Sequence, residues 1–208
     1  MAWSTRTIGV VVLMAGCSNR MPEGNKLLMT LGDTGVSVAE QTIQTIVSAG
    51  YTSILIVTGH DADKLRTVLE DVDVQWVHNS RYKDGMGTSI ARAFHNIESW
   101  DAALIVLGDM PFVSVATLQF LREISIQHPN QIIVPSFNGR RGQPVIFPSR
   151  FFRQLKECTG DVGGKRILQS HSESVMLVDV GDEAIHWDVD TVEMLNRYVE
   201  AAKEVMND

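Results

Sequence analysis

Asp109 stands directly after the most apolar run of the chain, Ala102-Ala103-Leu104-Ile105-Val106-Leu107, and is followed by Met110 and Pro111. A buried strand that ends at a carboxylate, with a proline stopping the ladder, aims that carboxylate at the crevice beyond the sheet's carboxyl edge, where open α/β folds bind ligands. A hard divalent cation takes oxygen ligands, commonly one or two carboxylates completed by phosphates and water. Asp109 is therefore a candidate metal ligand, and the competing reading makes it the cap of the helix after Pro111. A second acidic segment, Trp187-Asp188-Val189-Asp190-Thr191, precedes the last helical stretch. Asp190, with Asp188 as the alternative, is the candidate second ligand, and Asp190 or Thr191 reads equally as a helix cap.

A long polar loop, Met14 to Lys26, follows the first apolar run. Gly16 lets backbone N–H groups approach an anion closely. Arg20 can fork onto phosphate oxygens, and Lys26 brings a point charge of the kind used against phosphoryl groups. The loop is neither a Walker loop (Gly-x-x-x-x-Gly-Lys-Ser/Thr) nor a dinucleotide loop (Gly-x-Gly-x-x-Gly). On residue types alone it reads equally as a solvated loop with scattered charges. Further on, Asn79 to Ser89 holds Gly85 and Gly87, which admit a close backbone approach, and puts Ser89 in the first turn of a helix, an end that favours anions. Arg140 and Arg141 fit an exposed hairpin, and Lys165 and Arg166 an exposed helix start, as well as they fit an anion site.

The elements that must position these residues alternate. Strand candidates are Thr7–Leu13, Ser53–Thr58, Val74–His78, Ala102–Leu107, Gln131–Pro135, Pro144–Phe147, Ser174–Asp179 and Ala184–Trp187. Several are continuous apolar runs, as expected of parallel strands covered on both faces. Between them, Ala39, Ile43, Ile46 and Val47 mark one helical face, Leu65, Val68 and Leu69 a second, Gly87 to about Glu98 a third, Leu118 and Leu121 a fourth, and Leu195, Tyr198, Val199 and Ala202 a C-terminal helix. Such alternation predicts βαβ units with right-handed crossovers. Asn138-Gly139 between apolar runs predicts a hairpin, so the sheet gains an antiparallel element late in the chain. The expectation is an α/β fold with one domain over 1–208, a Rossmann-like, mostly parallel sheet flanked by helices.

The chain has 208 residues, 44% of them hydrophobic, and a net charge of −7. That balance excludes general nucleic-acid binding, which needs a basic face, but leaves room for a phosphorylated small molecule held by a few local cations. No apolar run reaches the length of a membrane span. Cys17 and Cys158 lack a CxxC partner and zinc-site spacing, so they read as reduced thiols of a cytoplasmic protein. Arg6 before Ile8–Met14, with Met14-Ala15-Gly16-Cys17, is the competing reading as a lipoprotein signal. A cysteine hydrolase built on Cys17 has no histidine placed by any motif as its base.

Leu13, Ala15, Gly16, Ser18, Arg20, Met21 and Lys26 together resemble the signature Leu-x-Ala-Gly-x-Ser-x-Arg-Met…Lys of nucleotidyltransferases with the glycosyltransferase-A-type (nucleotide-diphospho-sugar transferase) fold, with Pro22 where many members have glycine. Asp109-Met110-Pro111 resembles that family's metal motif. Asp190 to Leu195 is similar to its closing Asp-Thr-Pro-Glu-Asp-Leu, with Val192 for proline and Met194 for the second aspartate. Asn79, Gly85, Met86 and Ser89 match Asn…Gly-Met-x-x-Ser of the molybdenum-cofactor cytidylyltransferases and their relatives. Arg141-Gly142-Gln143-Pro144-Val145-Ile146-Phe147 resembles that subgroup's Arg-Gly-His-Pro-Val-x-Phe, with Gln143 for histidine. Gly160 to Arg166 resembles its Gly-Asp-x-Gly-Ala-Arg.

The resemblance, running from Ile8 to about Leu195, implies a nucleotidyltransferase that moves CMP from CTP to the phosphate of molybdopterin. Cytidine is favoured because Met14-Ala15-Gly16 lacks the second glycine of the guanylyltransferase relatives, and a side chain at position 15 narrows the space for a purine. It implies Mg²⁺, with Mn²⁺ as an alternative, on Asp109 and Asp190, and catalytic roles for Lys26, Arg20 and Asp109. Nucleotide contacts are implied for Leu13, Ala15, Gly16, Ser18, Arg20, Lys26, Asn79, Gly85, Ser89 and Asp109. Acceptor contacts are implied for Arg141, Gly142, Gln143, Pro144, Asp161 and Arg166. A molybdoenzyme client or maturation chaperone is the implied protein partner. The rival readings are a sugar-1-phosphate or other small-phosphate nucleotidyltransferase using GTP or another NTP, and a non-catalytic cofactor-binding maturation protein.

Overall fold

A computed structural model describes residues 6–17 and 24–205. Its regular elements, in chain order, are β1 (Ile8–Met14), α1 (Val38–Ser48), β2 (Ile54–Thr58), α2 (Ala62–Val68), β3 (Gln75–His78), α3 (Met86–Phe94), β4 (Ala102–Leu107), α4 (Val115–Gln127), β5 (Ile132–Phe137), β6 (Arg140–Arg141), β7 (Val145–Pro148), α5 (Phe152–Lys156), α6 (Lys165–Ser170), β8 (Val175–Asp179) and α7 (Val192–Val205).

The strands form one sheet in the order β3-β2-β1-β4-β7-β5-β6, with β8 beside β5. β1 pairs in parallel with β2 on one side and β4 on the other. β7 runs antiparallel between β4 and β5. The expected α/β sheet, mostly parallel with a late antiparallel insertion, is what the chain builds. Alternate strand residues feed two cores. Val10, Val12, Leu104 and Val106 pack under α1, α4 and α7, whereas Val11, Leu55, Ala103 and Phe147 pack under α3, α5 and α6. Burial on both faces explains why β1, β2 and β4 read as unbroken apolar runs.

The chain leaves β1 for β2 and β3 in one direction, then crosses back to lay β4 on the far side of β1. The strand order therefore reverses between β1 and β4, and a crevice opens beyond the ends of those two strands. Helix α1 starts on a reciprocal cap: Ser37 Oγ accepts from Glu40 N–H, and the Glu40 carboxylate accepts from Ser37 N–H.

Three expectations need correction. Ala184–Trp187 is not a strand: Ala184 to His186 belong to a 3-10 turn, Glu183–His186, that ends at Trp187 and whose start is capped by Asp182 accepting from Ala184 N–H at 3.0 Å. The Asn138-Gly139 hairpin is real, with φ of 51° and 77° as a type I′ turn requires, but it joins β5 to the two-residue β6, and β7 follows separately. Val47 is 48% exposed, because Thr42 and Thr45 take the buried flank of α1 instead.

Candidate functional site

Asp109 lies one residue beyond Gly108 at the end of β4, beside the end of β1. A Cβ on Gly108 would stand 2.6 Å from Met14 Cγ and 3.0 Å from the Leu13 carbonyl oxygen, so the glycine permits the two strand ends to touch. Gly108 N–H donates to Leu13 O at 3.0 Å, and Gly108 O accepts from the Thr42 hydroxyl at 3.1 Å. This anchoring aims Asp109 into the crevice. It does not cap α4: Ser114 does, accepting from Thr117 N–H at 3.1 Å. Likewise the Thr191 hydroxyl accepts from Met194 N–H at 3.2 Å, which leaves the Asp190 carboxylate to face the cleft.

Lys26 Nζ joins the two acidic segments. It contacts Asp109 Oδ2 at 2.5 Å and Asp190 Oδ1 at 2.9 Å. Its backbone begins a 3-10 turn, Lys26–Leu28, capped by Asn25 Oδ1 accepting from Leu27 N–H at 3.1 Å. Burial works to lower the Lys26 pKa, but the carboxylates of Asp109 and Asp190 outweigh it and hold the ammonium above its ordinary value. For Asp109 burial is the strongest influence and raises its pKa; Lys26 opposes this and Asp188 adds to it. The Asp109 side chain is 17% exposed. Its Oδ1 is buried without a hydrogen-bond partner among the described residues. A buried carboxylate oxygen without a donor fits a cation ligand. Among the described residues no three His, Cys, Asp or Glu groups cage an ion by themselves.

These residues line a cleft of about 800 Å³ with Leu13, Ala15, Gly16 and Ser89. A second cleft, of about 580 Å³, adjoins it, and Leu13, Leu107, Asp161 and Asp188 line both. The second cleft has an apolar floor that includes Ile105, Val134 and Phe147, and a rim carrying Arg140, Arg141 and Lys165.

Ser18 and Arg20 lie outside the described residues, as do Met21 and Pro22. Asn79 lines neither cleft. Its amide donates to Thr88 Oγ1 and Ser89 Oγ, both at 2.9 Å, and its carbonyl oxygen accepts from Arg81 N–H, so it braces the loop from inside. Gly85 and Gly87 make their close approach to the chain itself. A Cβ on either would fall within 2.4–2.8 Å of the Thr159–Asp161 backbone or the Asp161 carboxylate, and Gly87 N–H donates to Gly160 O at 2.7 Å. Gly85 also lines the first cleft. Gly142 and Gln143 line the second cleft, whereas Pro144 is buried beside it. Arg166 is exposed and lines neither cleft; Lys165, one residue earlier at the start of α6, takes the rim position. Sequence reasoning undervalued Lys165 and Asp188. The sequence places Lys165 and Arg166 together at a helix start, and only the structure separates them.

Trp187 stacks on Tyr198 of α7, with ring centroids 4.9 Å apart and planes 1° from parallel, and Phe112 meets both rings edge-on. This aromatic cluster fastens the Asp188–Asp190 segment to α7.

The model of the MobA-like NTP transferase domain matches residues 10–175. The chain belongs to this family. It is 28% identical over 197 residues to nicotine blue oxidoreductase of Paenarthrobacter nicotinovorans, covering 90% of this chain and 94% of that protein. Among solved structures, a nucleotidyl transferase from Methanothermobacter thermautotroptrophicus superposes with a TM-score of 0.81 at 23% identity, over 96% of this chain and 99% of that one. Rv0371c of Mycobacterium tuberculosis H37Rv gives a TM-score of 0.80 at 27% identity, over 95% and 100%. A structure of Rv0371c in complex with manganese gives 0.76 at 26% identity, over 94% and 99%. Among the described residues, no helix of this MobA-like chain is long and apolar enough to cross a membrane.

Proposed function

We propose that this MobA-like NTP transferase moves CMP from CTP to the phosphate of molybdopterin in the cytoplasm, releasing pyrophosphate. The observation that carries the reading is the Lys26 ammonium held between Asp109 and Asp190, at the point where the strand order reverses. In the reaction an oxygen of the acceptor phosphate bonds to the α-phosphorus. The bond from that phosphorus to the oxygen bridging to the β-phosphate breaks, and its electron pair leaves with pyrophosphate. Such transfers gain chiefly from positioning and charge stabilisation.

The residues divide this work between the two clefts. Gly16 would meet the triphosphate and Lys26 offset its charge, roles that the sequence resemblance also gives to Ser18 and Arg20. Asp109 and Asp190, with Asp188 beside them, would hold Mg²⁺ or Mn²⁺. When bound, that ion neutralises phosphate charge and orients the oxygens it touches. Ala15 and Ser89 border the nucleoside. Arg141, Gly142, Gln143 and Lys165 would receive the acceptor, with Asp161 at the junction of the two clefts. Asn79, Pro144 and Arg166 have no direct contact in this scheme. A molybdoenzyme or its maturation chaperone is the partner that would take the product.

Two alternatives share the scaffold. A sugar phosphate or another NTP would use the same carboxylates. The redox name of the Paenarthrobacter relative raises hydride transfer, for which the dinucleotide-loop glycines after β1 are missing. One panel separates these readings: the purified chain with each of four NTPs, Mg²⁺ or Mn²⁺, and either molybdopterin or sugar 1-phosphates, scored by pyrophosphate release, with oxidation of NADH by an added quinone-type dye scored in parallel. Pyrophosphate from CTP and molybdopterin is expected. Release with sugar phosphates alone would replace the acceptor, release with GTP alone would replace the nucleotide, and NADH oxidation without pyrophosphate would overturn nucleotidyl transfer.

A further inference from the structure

We propose that Lys26 makes divalent-cation binding conditional on nucleotide, because its ammonium stands between the carboxylates that the cation needs until a triphosphate draws it away. The inference rests on the reading of Asp109 and Asp190 as metal ligands and extends it to the order of binding.

The two carboxylates that contact Lys26 Nζ, through Asp109 Oδ2 and Asp190 Oδ1, are the ones a hard cation would use. An ammonium and a divalent cation carry the same sign, so placing both on one pair of carboxylates is repulsive as well as crowded. The exchange is partial. Asp109 Oδ1 has no hydrogen-bond partner among the described residues, so the lysine engages one oxygen of that carboxylate and leaves the other to a cation.

Lys26 is built to change partners. Its backbone is fixed by the Asn25 cap, while its four-carbon stem lets the ammonium swing without moving the turn. The wider charge balance supplies the reason to swing. Among the described residues lining this cleft, Lys26 and Lys83 face Asp109, Asp161, Asp188 and Asp190. These four carboxylates disfavour a triphosphate that arrives without a metal ion. The same ammonium, left in place, resists a metal ion that arrives without a triphosphate. Each ligand thus removes the obstacle to the other, and linkage requires the two enhancements to be equal.

The test measures Mn²⁺ binding by electron paramagnetic resonance of the free ion, on the full chain, with and without a non-hydrolysable CTP analogue. Mn²⁺ held by the analogue in free solution is subtracted. Wild type is expected to bind Mn²⁺ at least tenfold more tightly when the analogue is present. Lys26→Met is expected to bind Mn²⁺ alone at least tenfold more tightly than wild type, and Lys26→Arg, which keeps the charge, to stay weak. Equal Mn²⁺ affinity of wild type and Lys26→Met without the analogue overturns the exchange. If Lys26→Met fails to fold, the wild-type pair decides, and equal affinities with and without the analogue overturn the proposal. Tight Mn²⁺ binding by wild type alone, with metal-dependent pyrophosphate release intact, defeats this inference and spares the transferase reading. Absence of Mn²⁺ binding in every arm defeats the metal-ligand reading itself, and the inference with it.

Discussion

The backbone N–H of Val189 donates to the carbonyl oxygen of Asp109 at 2.9 Å. Val189 is fully buried, and the acidic residues on either side of it line the first cleft. The two acidic segments are therefore joined through main chain and core as well as through the Lys26 bridge between their carboxylates. The Asp109 side chain can consequently be replaced without undoing the junction. Asp109→Asn and Asp109→Ala are expected to lower turnover by roughly 10²–10³, the usual cost of losing a group that stabilises transition-state charge. Asp109→Asn should still fold, because the Val189 junction is main-chain and Asp190 continues to pair Lys26. Pyrophosphate release and thermal unfolding measured together check this, and near-normal turnover in a folded variant would reject the role.

Gly108→Ala tests how tightly the two strand ends must fit. The added methyl meets a flexible side chain in Met14 but a fixed backbone oxygen in Leu13. Overpacking of this kind costs about 1–3 kcal/mol. Denaturant unfolding should report that loss. In a double-mutant cycle with Met14→Ala, with that substitution's own cavity cost of about 2–5 kcal/mol subtracted, only part of the Gly108→Ala loss should disappear, since the Leu13 carbonyl stays where it is. Complete restoration would show that the backbone contact does not matter.

Lys165 and Arg166 adjoin in sequence but differ in place, so they separate the acceptor cleft from general surface charge. Lys165→Ala is expected to raise the acceptor KM at least tenfold, in line with about 1.5–3 kcal/mol for a hydrogen bond to a charged group. Arg166→Ala should leave it within twofold. Steady-state kinetics varying the acceptor at saturating nucleotide make the comparison, and equal effects of the two substitutions would remove Lys165 from the site.

Much of this architecture was legible because two-sided burial leaves a plain trace. The apolar runs of β1, β2 and β4 and the Asn138-Gly139 turn follow from local rules that tertiary contacts did not override. Asp109 was legible because a carboxylate closing the most buried strand has few places to point. Other features depended on contacts between distant segments. Gly85 and Gly87 announce a close approach, but not that the partner is the Thr159–Asp161 backbone. Asn79 carries the same side chain whether it meets a ligand or braces Thr88 and Ser89. Ala184-Ile185 is apolar like a strand, yet the Asp182 cap winds it into a turn, and Ile185 O then accepts from Gln143 N–H at 3.0 Å. The choice between Lys165 and Arg166 depended on the helical phase of α6, which a six-residue helix barely records.

Tyr51 offers a stability test away from the clefts. Its ring is 3% exposed, its hydroxyl donates to Leu118 O at 3.2 Å, and the Arg122 guanidinium lies 5.5 Å from the ring centroid. Burial pushes the phenol well above its ordinary value, and Arg122 only partly opposes the shift. An acid with a raised folded pKa holds its proton in the native state after the unfolded chain has lost it. Its contribution is thus whole below the unfolded pKa of about 10 and declines as pH rises beyond it, by up to about 1.4 kcal/mol per pH unit. Tyr51→Phe removes that titration and one hydrogen bond. At pH 8 the variant should be less stable by about 0.5–1.5 kcal/mol. Between pH 10 and 11 its stability should fall less steeply than that of wild type, so the two curves converge. Denaturant unfolding across that range measures both slopes. Parallel curves would mean that the Tyr51 phenol ionises as readily in the folded protein as in the unfolded chain.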